Sequence, residues 1–341
     1  MTLLPVLPMR FLPLARASLA RSPLACVPAA FLLLAACSGA DSGSADNAGK
    51  TVDMTLTEGL DYPAPTAADL VWDMPAFEVA PYTETQMCFV GTYTGEDAAL
   101  VGFGGYQQAE FGHHVLLLGT STSAVDLPDG TFFDCTLTQD LPMDSLEPLI
   151  LPTKGNGEQF GMALPTGIAT KLRTGQRWIL QVHNVNTTAD TLKVNAIGIA
   201  PTIPMEDVVD WAAPWTTNRV GFTIPPHSAQ KLEFNCTFDV EYHMLYLMGH
   251  MHEWGTHFKL EMLDANGAPT TMYEQEWDPA YRDTPPIVDF SADPLIAPAG
   301  TTWRTTCEWF NDTDDALEFP SEMCASVSMV YPALTADICS D

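Results

Sequence analysis

Short runs recur along the chain in which apolar and polar residues alternate, or in which a few apolar residues stand together. Gly, Pro, Asn and Asp separate them. The clearest are Gln86–Val90, His114–Leu118, Trp178–Val182, Leu192–Ile199, Arg219–Ile224, Tyr242–Met248 and Phe258–Met262. Long stretches with helical period are scarce. Alternation at period two is the mark of a half-buried strand, and many short strands with turn punctuation predict an all-β, antiparallel sandwich architecture. A Pro-rich seam, Ala200-Pro201-Thr202-Ile203-Pro204-Met205, falls near the middle. It predicts a boundary between two β domains, residues 71–202 and 203–341. No repeat of 20–50 residues is evident.

The N-terminus has a different pattern. Arg10, Arg16 and Arg21 precede an apolar stretch from Leu24 to Ala36, which ends in Leu34-Ala35-Ala36-Cys37. A basic region, an apolar region and small residues before a cut predict a signal peptide over residues 1–36. The quartet resembles a bacterial lipobox, which makes Cys37 the expected lipidated residue and places the protein in the cell envelope. Ser38, rather than Asp, after that Cys favours an outer-membrane anchor. Residues 37–70 are read as a flexible tether, since the Ser/Gly/Ala/Asp-rich stretch cannot bury enough surface to order itself. No apolar segment of 18 or more residues follows, so membrane contact is expected only through the lipid.

Composition narrows the function classes. The 341 residues carry 14 Lys and Arg against 43 Asp and Glu, a formal charge of −29. Removing residues 1–36, with three Arg and no acid, takes this to −32. Nucleic-acid binding is disfavoured, because phosphate recognition rests on basic side chains. Of eight cysteines, Cys26 lies in the signal and Cys37 is the lipid site. The remaining Cys88, Cys135, Cys236, Cys307, Cys324 and Cys339 form an even set, read as disulfides in an exported chain with 15 possible connectivities. Walker loops, Gly-x-Ser-x-Gly, Gly-x-Gly-x-x-Gly, His-Glu-x-x-His and Cys-x-x-Cys are missing. The sequons at Asn186, Asn235 and Asn311 are read as incidental.

The histidines concentrate in three places: Gly112-His113-His114, Gln181-Val182-His183 and His250-Met251-His252. Strand residues i and i+2 share a face, so His250 and His252 can chelate one metal. Gln181 shares a face with His183 and is the candidate to orient it or a bound water. His113 and His114 face opposite sides of a regular strand; both reach one metal only if a bulge re-aims one, which Gly112 would permit. Met323, in Ser321-Glu322-Met323-Cys324, adds a thioether, a ligand that with two histidines selects copper over zinc. His227, His243 and His257 are read as non-ligating.

In order, Met87-Cys88, His113-His114, Cys135, Leu180-Gln181-Val182-His183, His250-x-His252 and Glu322-Met323-Cys324 ahead of Tyr331-Pro332 resemble the copper type II, ascorbate-dependent monooxygenases. That family includes peptidylglycine α-hydroxylating and dopamine β-monooxygenases. The resemblance runs from about residue 70 to the end. It implies two tandem antiparallel jelly-roll domains with one copper ion on each. The first ion would take His113, His114 and His183, and the second His250, His252 and Met323. It also implies the bridges Cys88–Cys135, Cys307–Cys324 and Cys236–Cys339. In the family the Met-bearing copper binds O₂ and attacks an sp³ C–H bond of a small molecule, while the other delivers an electron drawn from ascorbate or an equivalent reductant.

The sequence departs from the peptide-amidating members. Met248, Ala325 and Val327 stand where those members hold an Arg, an Asn and a Tyr that anchor a substrate carboxylate. A carboxylate needs such donors, so a peptidylglycine substrate is disfavoured and a less polar pocket is expected. The expectation is therefore an envelope-anchored copper monooxygenase acting on an unidentified small organic substrate. The alternative is a copper-binding lipoprotein without turnover.

Overall fold

The computed structural model describes residues 60–107, 112–120, 127–135, 146–148, 153–154, 164–264, 266–282, 284–319 and 321–339. The expected signal peptide, Cys26, Cys37 and most of the tether lie outside the described residues. Strands of the first half are β1 (Asp69–Val79), β2 (Thr83–Thr92), β3 (Ala98–Leu100), β4 (Gly104–Gln107), β5 (Gly112–Thr120), β6 (Phe132–Asp134), β7 (Leu146–Pro148), β8 (Thr153–Lys154), β9 (Ile168–Leu172), β10 (Arg177–Asn186) and β11 (Leu192–Ile203). Those of the second are β12 (Asp210–Arg219), β13 (Ser228–Thr237), β14 (Tyr242–His250), β15 (Gly255–Leu263), β16 (Pro269–Glu276), β17 (Val288–Asp289), β18 (Leu295–Ala297), β19 (Thr302–Asn311), β20 (Cys324–Tyr331) and β21 (Asp337–Cys339). The chain is all-β in sandwich form, as the alternation predicts. Among the described residues no helix is long and apolar enough to cross a membrane.

Three sheets build the fold among the described residues. A six-stranded sheet runs β6-β2-β10-β5-β7, with β8 on β5. A four-stranded sheet runs β13-β19-β15-β16. An 11-stranded sheet, β1-β11-β3-β9-β12-β20-β14-β17 with β4, β18 and β21 beside it, belongs to both halves. The first core gathers Trp72, Phe103, Leu117, Trp178 and Leu180; the second gathers Trp215, Phe258, Trp303 and Trp309.

Four expectations need correction. The seam at 202/203 does mark the end of β11, but it is not a break between separate sheets: β9 pairs with β12 in parallel, Asp210 opposite Ile168. Leu245, Tyr246 and Met329 of the second half also pack into the first core. The sheets are therefore not wholly antiparallel, and β21 too pairs β12 in parallel. The tether ends early, because β1 begins at Asp69 and Leu70 already packs on the first core. Finally, Arg219–Ile224 is not a strand: β12 stops at Arg219, and Ile224 makes only an isolated bridge to Leu317 before Pro225-Pro226, where proline removes the ladder donors.

Two turns repeat in the two halves. Asn186, at the end of β10, donates to the carbonyls of Val79, Ala80 and Asp190, and accepts from the amide and hydroxyl of Thr188. Asn311, at the end of β19, donates to Ile224, Pro225 and Asp315 and accepts from Thr313 in the same way. Both asparagines are buried. These two sequons therefore have a structural cause: each amide closes a turn and ties it to a neighbouring segment.

Candidate metal centres

The expected bulge is present beside the first histidines. In the β5–β10 pairing His183 stands opposite His114, and the next residue, Asn184, stands opposite Gly112. His113 is thus the extra residue, re-aimed off the regular alternation. Gln107, buried on β4, fastens this spot by donating to the carbonyls of both His114 (3.1 Å) and His183 (3.2 Å). A Cβ at Gly112 would lie 2.4 Å from Gln107 Cγ, so glycine is needed there to admit that amide. The His183 ring then lies 5.0 Å from the His113 ring and 4.9 Å from the His114 ring, centre to centre.

Rings at that spacing also occur as ordinary aromatic neighbours, so the direction of the lone pairs decides what the cluster can do. His183 is 1% exposed, and its Nε2 lies 2.9 Å from Glu84 Oε1. An ionised carboxylate only accepts, so Nε2 carries the proton and the lone pair is on Nδ1, which is fully buried. With nitrogen–metal bonds of about 2.0–2.1 Å, ring centres lie about 3.1–3.2 Å from a bound ion, and two rings at tetrahedral angles are then about 5 Å apart. The observed spacings match that figure. Two of the ring spacings thus agree with imidazoles around one ion, and the lone pair that His183 offers is on Nδ1.

The second cluster sits where β14 ends. Gly249 lets the strand lie against Phe258, since a Cβ there would come within 2.4 Å of that ring. His250 and His252 flank the buried Met251, and their rings are 5.1 Å apart, on one side as the i, i+2 spacing predicts. His252 is held from three directions. Its amide donates to Glu322 Oε2 (3.0 Å), its carbonyl accepts from Trp277 Nε1 (2.9 Å), and its Nδ1 lies 3.1 Å from the Ser321 carbonyl. The carbonyl only accepts, so Nδ1 bears the proton and Nε2 the lone pair. His183 and His252 therefore present opposite ring nitrogens.

Glu322 organises this end of the molecule. It is 0% exposed and accepts from the amides of His252, Trp254 (2.8 Å) and Met323 (3.3 Å) and from Trp309 Nε1 (3.0 Å). One carboxylate thus fixes the backbones of both His252 and Met323. Burial pushes its carboxyl above the ordinary range, against the lowering pull of the His252 and Trp254 amides. Met323 is further pinned by its neighbour Cys324, which bridges to Cys307. The other bridges are Cys88–Cys135 and Cys236–Cys339. These are the three pairs that the resemblance implies.

Gln181 does not orient His183. It stands opposite Cys88 across the ladder, and its amide lies 3.8 Å from Cys135 Sγ; the carboxylate on His183 comes from Glu84 instead. His257 pairs with Glu274, His227 with Asp314, and His243 packs on Tyr331, so these three stay apart from both clusters. Met248 and Val327 are opposite one another on β14 and β20, as are His250 and Ala325. Opposite residues share a face, so the three departures from the peptide-amidating pattern lie in register beside His250. Among the described residues no group of three or more His, Cys, Asp and Glu side chains is arranged so that it could hold a metal ion as it stands. The first cluster brings the rings of His113 and His114 beside that of His183, and the second brings together His250 and His252, with the backbones of His252 and Met323 both held by Glu322.

No protein-family model and no curated protein matches the sequence. Solved structures align with it at low similarity. The STIV MCP is 9% identical with a TM-score of 0.29, over 78% of this chain and 92% of that one. The Sputnik virophage structure is 6% identical with a TM-score of 0.25, over 79% and 87%. A secreted protein from Parabacteroides distasonis is 8% identical with a TM-score of 0.15, over 84% and 95%. Scores of this size carry no functional argument.

Proposed function

We propose that the protein is an exported, lipid-anchored copper monooxygenase that hydroxylates an sp³ C–H bond of a small organic molecule, using O₂ and an external reductant. The observation that carries the reading is the pair of histidine clusters, three imidazoles at one and two at the other, with the tautomers of His183 and His252 set by their hydrogen-bond partners and Glu322 holding the backbones of both His252 and Met323. The formation of the three implied bridges, out of 15 possible sets, supports it as well.

Bound copper supplies one-electron redox chemistry and O₂ binding, and a thioether favours Cu(I). The chain's own residues do the rest. Glu84 keeps the proton on His183 Nε2, which leaves Nδ1 as the ligand atom. Ser321 keeps the proton on His252 Nδ1, which leaves Nε2. Glu322 and the Cys307–Cys324 bridge confine Met323, a side chain with three rotatable bonds, so less freedom is lost when it ligates. Met248, Ala325 and Val327 give the surroundings of His250 an apolar wall without a carboxylate anchor, which favours substrates that carry no carboxylate at the reacting end.

Copper-loaded protein is expected to consume O₂ with a reductant, and faster when a substrate is present. Met323→Ala should abolish that turnover while copper remains on His113, His114 and His183. Full turnover in Met323→Ala would remove the assignment of the O₂ site. Tight copper binding without substrate-stimulated uptake would leave a copper-binding lipoprotein.

A further inference from the structure

Between the two clusters runs a chain of ion pairs that neither the fold nor the proposed chemistry requires. Glu84, at the start of β2, faces His183 with Oε1 (2.9 Å). The same oxygen accepts from Arg282 Nη2 (2.8 Å). Arg282 lies in the second half, at the end of a 3-10 turn over Pro279–Arg282, and its Nη1 donates to Glu253 Oε1 (2.8 Å). Glu253 is the residue after His252. The path thus runs from the His183 ring through two carboxylates and one guanidinium to the backbone of the second cluster.

The chemistry of the bridge is specific. A carboxylate behind a ligating imidazole raises its donor strength and fixes the ring. A guanidinium on that carboxylate competes for the same lone pairs and weakens its hold on the imidazole proton. Arg282 forks to two acceptors with a planar group, a geometry that a lysine ammonium does not reproduce. Its side chain is 22% exposed, so the pairs are partly shielded from water, while Glu84 at 40% and Glu253 at 49% reach the surface. Resting on the copper reading above, we infer that Glu84 and Arg282 are positioning residues: Glu84 sets the donor strength of His183 at the first copper, and Arg282 tunes Glu84 while strapping the first cluster to the loop of the second.

This predicts opposite electronic effects from two substitutions on the same bridge. Glu84→Gln replaces an anionic acceptor by a neutral one. First-site Cu(II) affinity should fall about 10–100-fold, and the first-site reduction potential should rise. Arg282→Met frees Glu84 from its cation, so the potential should fall. Arg282→Lys, which keeps the charge, should lie between Arg282→Met and the wild type.

The measurement is a Cu(II) titration of the full chain, read by electron paramagnetic resonance and redox titration, with circular dichroism to confirm folding. Opposite shifts in Glu84→Gln and Arg282→Met support the bridge. Unchanged first-site spectra, or shifts of the same sign, overturn it. If Glu84→Gln does not fold, the Arg282→Met and Arg282→Lys pair decides alone. Wild-type protein that takes up fewer than two coppers overturns the copper reading itself and the bridge with it.

Discussion

Glu322 offers the sharpest test of how the second cluster is built. Glu322→Gln preserves volume and leaves one carbonyl oxygen. Oε2 takes three donors, from His252, Trp309 and Met323, and Oε1 takes one, from Trp254. A glutamine can turn its carbonyl to only one of these sides, so its NH₂ must face at least one N–H. A buried donor left unsatisfied costs about 1–3 kcal/mol, and three bonds that lose charge assistance weaken by about 1 kcal/mol each. Relief from burying a charge offsets part of this, because burial already pushes that carboxyl upward. The net expected loss is about 2–4 kcal/mol, a large share of the roughly 5–15 kcal/mol that holds a domain folded. Denaturant unfolding with the disulfides intact, followed by tryptophan fluorescence, measures it. In the same variant, affinity at the Met323 site should fall more than at the His113 site. A variant within about 0.5 kcal/mol of wild type, with both copper affinities unchanged, would refute the role given to Glu322.

Other outcomes follow from the same geometry. Gly112→Ala drives a Cβ into Gln107, and an overpacking cost of about 1–3 kcal/mol is expected, along with weaker copper binding at the first cluster; an unchanged melting curve would remove the bulge argument. Asn186→Asp and Asn311→Asp each set a carboxylate against three carbonyls. Each should cost about 3 kcal/mol or more by thermal or denaturant melts, since the lost bonds leave buried groups unsatisfied. The −29 formal charge of the chain opposes anionic reductants, so the rate of reduction by ascorbate should rise with added salt. A flat or falling rate would show that the field does not act at the site of electron entry.

The fold was readable because alternation survives wherever a strand has one wet and one dry face. It misled at Arg219–Ile224, where an alternating run meets paired prolines. The His250–His252 pair was readable from parity alone. His113 and His114 were not, since their shared direction depends on a bulge that only the β10 register reveals. The residues that hold the histidines were the least legible. Glu84 is 99 positions from His183, and Glu322 is 70 from His252, so no local pattern joins them. Gln181 was chosen by parity, yet its cross-strand neighbour is a disulfide cysteine, and that contact took its amide. Local spacing proposes ligands; the groups that fix their tautomers come from elsewhere in the sheet.

The central claim is that two copper ions are held by different donor sets. X-ray absorption of the Cu(I)-loaded chain tests it directly. Two coppers per chain are predicted, with histidine scattering from both and a single copper–sulfur distance that vanishes in Met323→Leu while copper stays at the first cluster. Fewer than two coppers, or a sulfur signal that persists in Met323→Leu, would contradict the account.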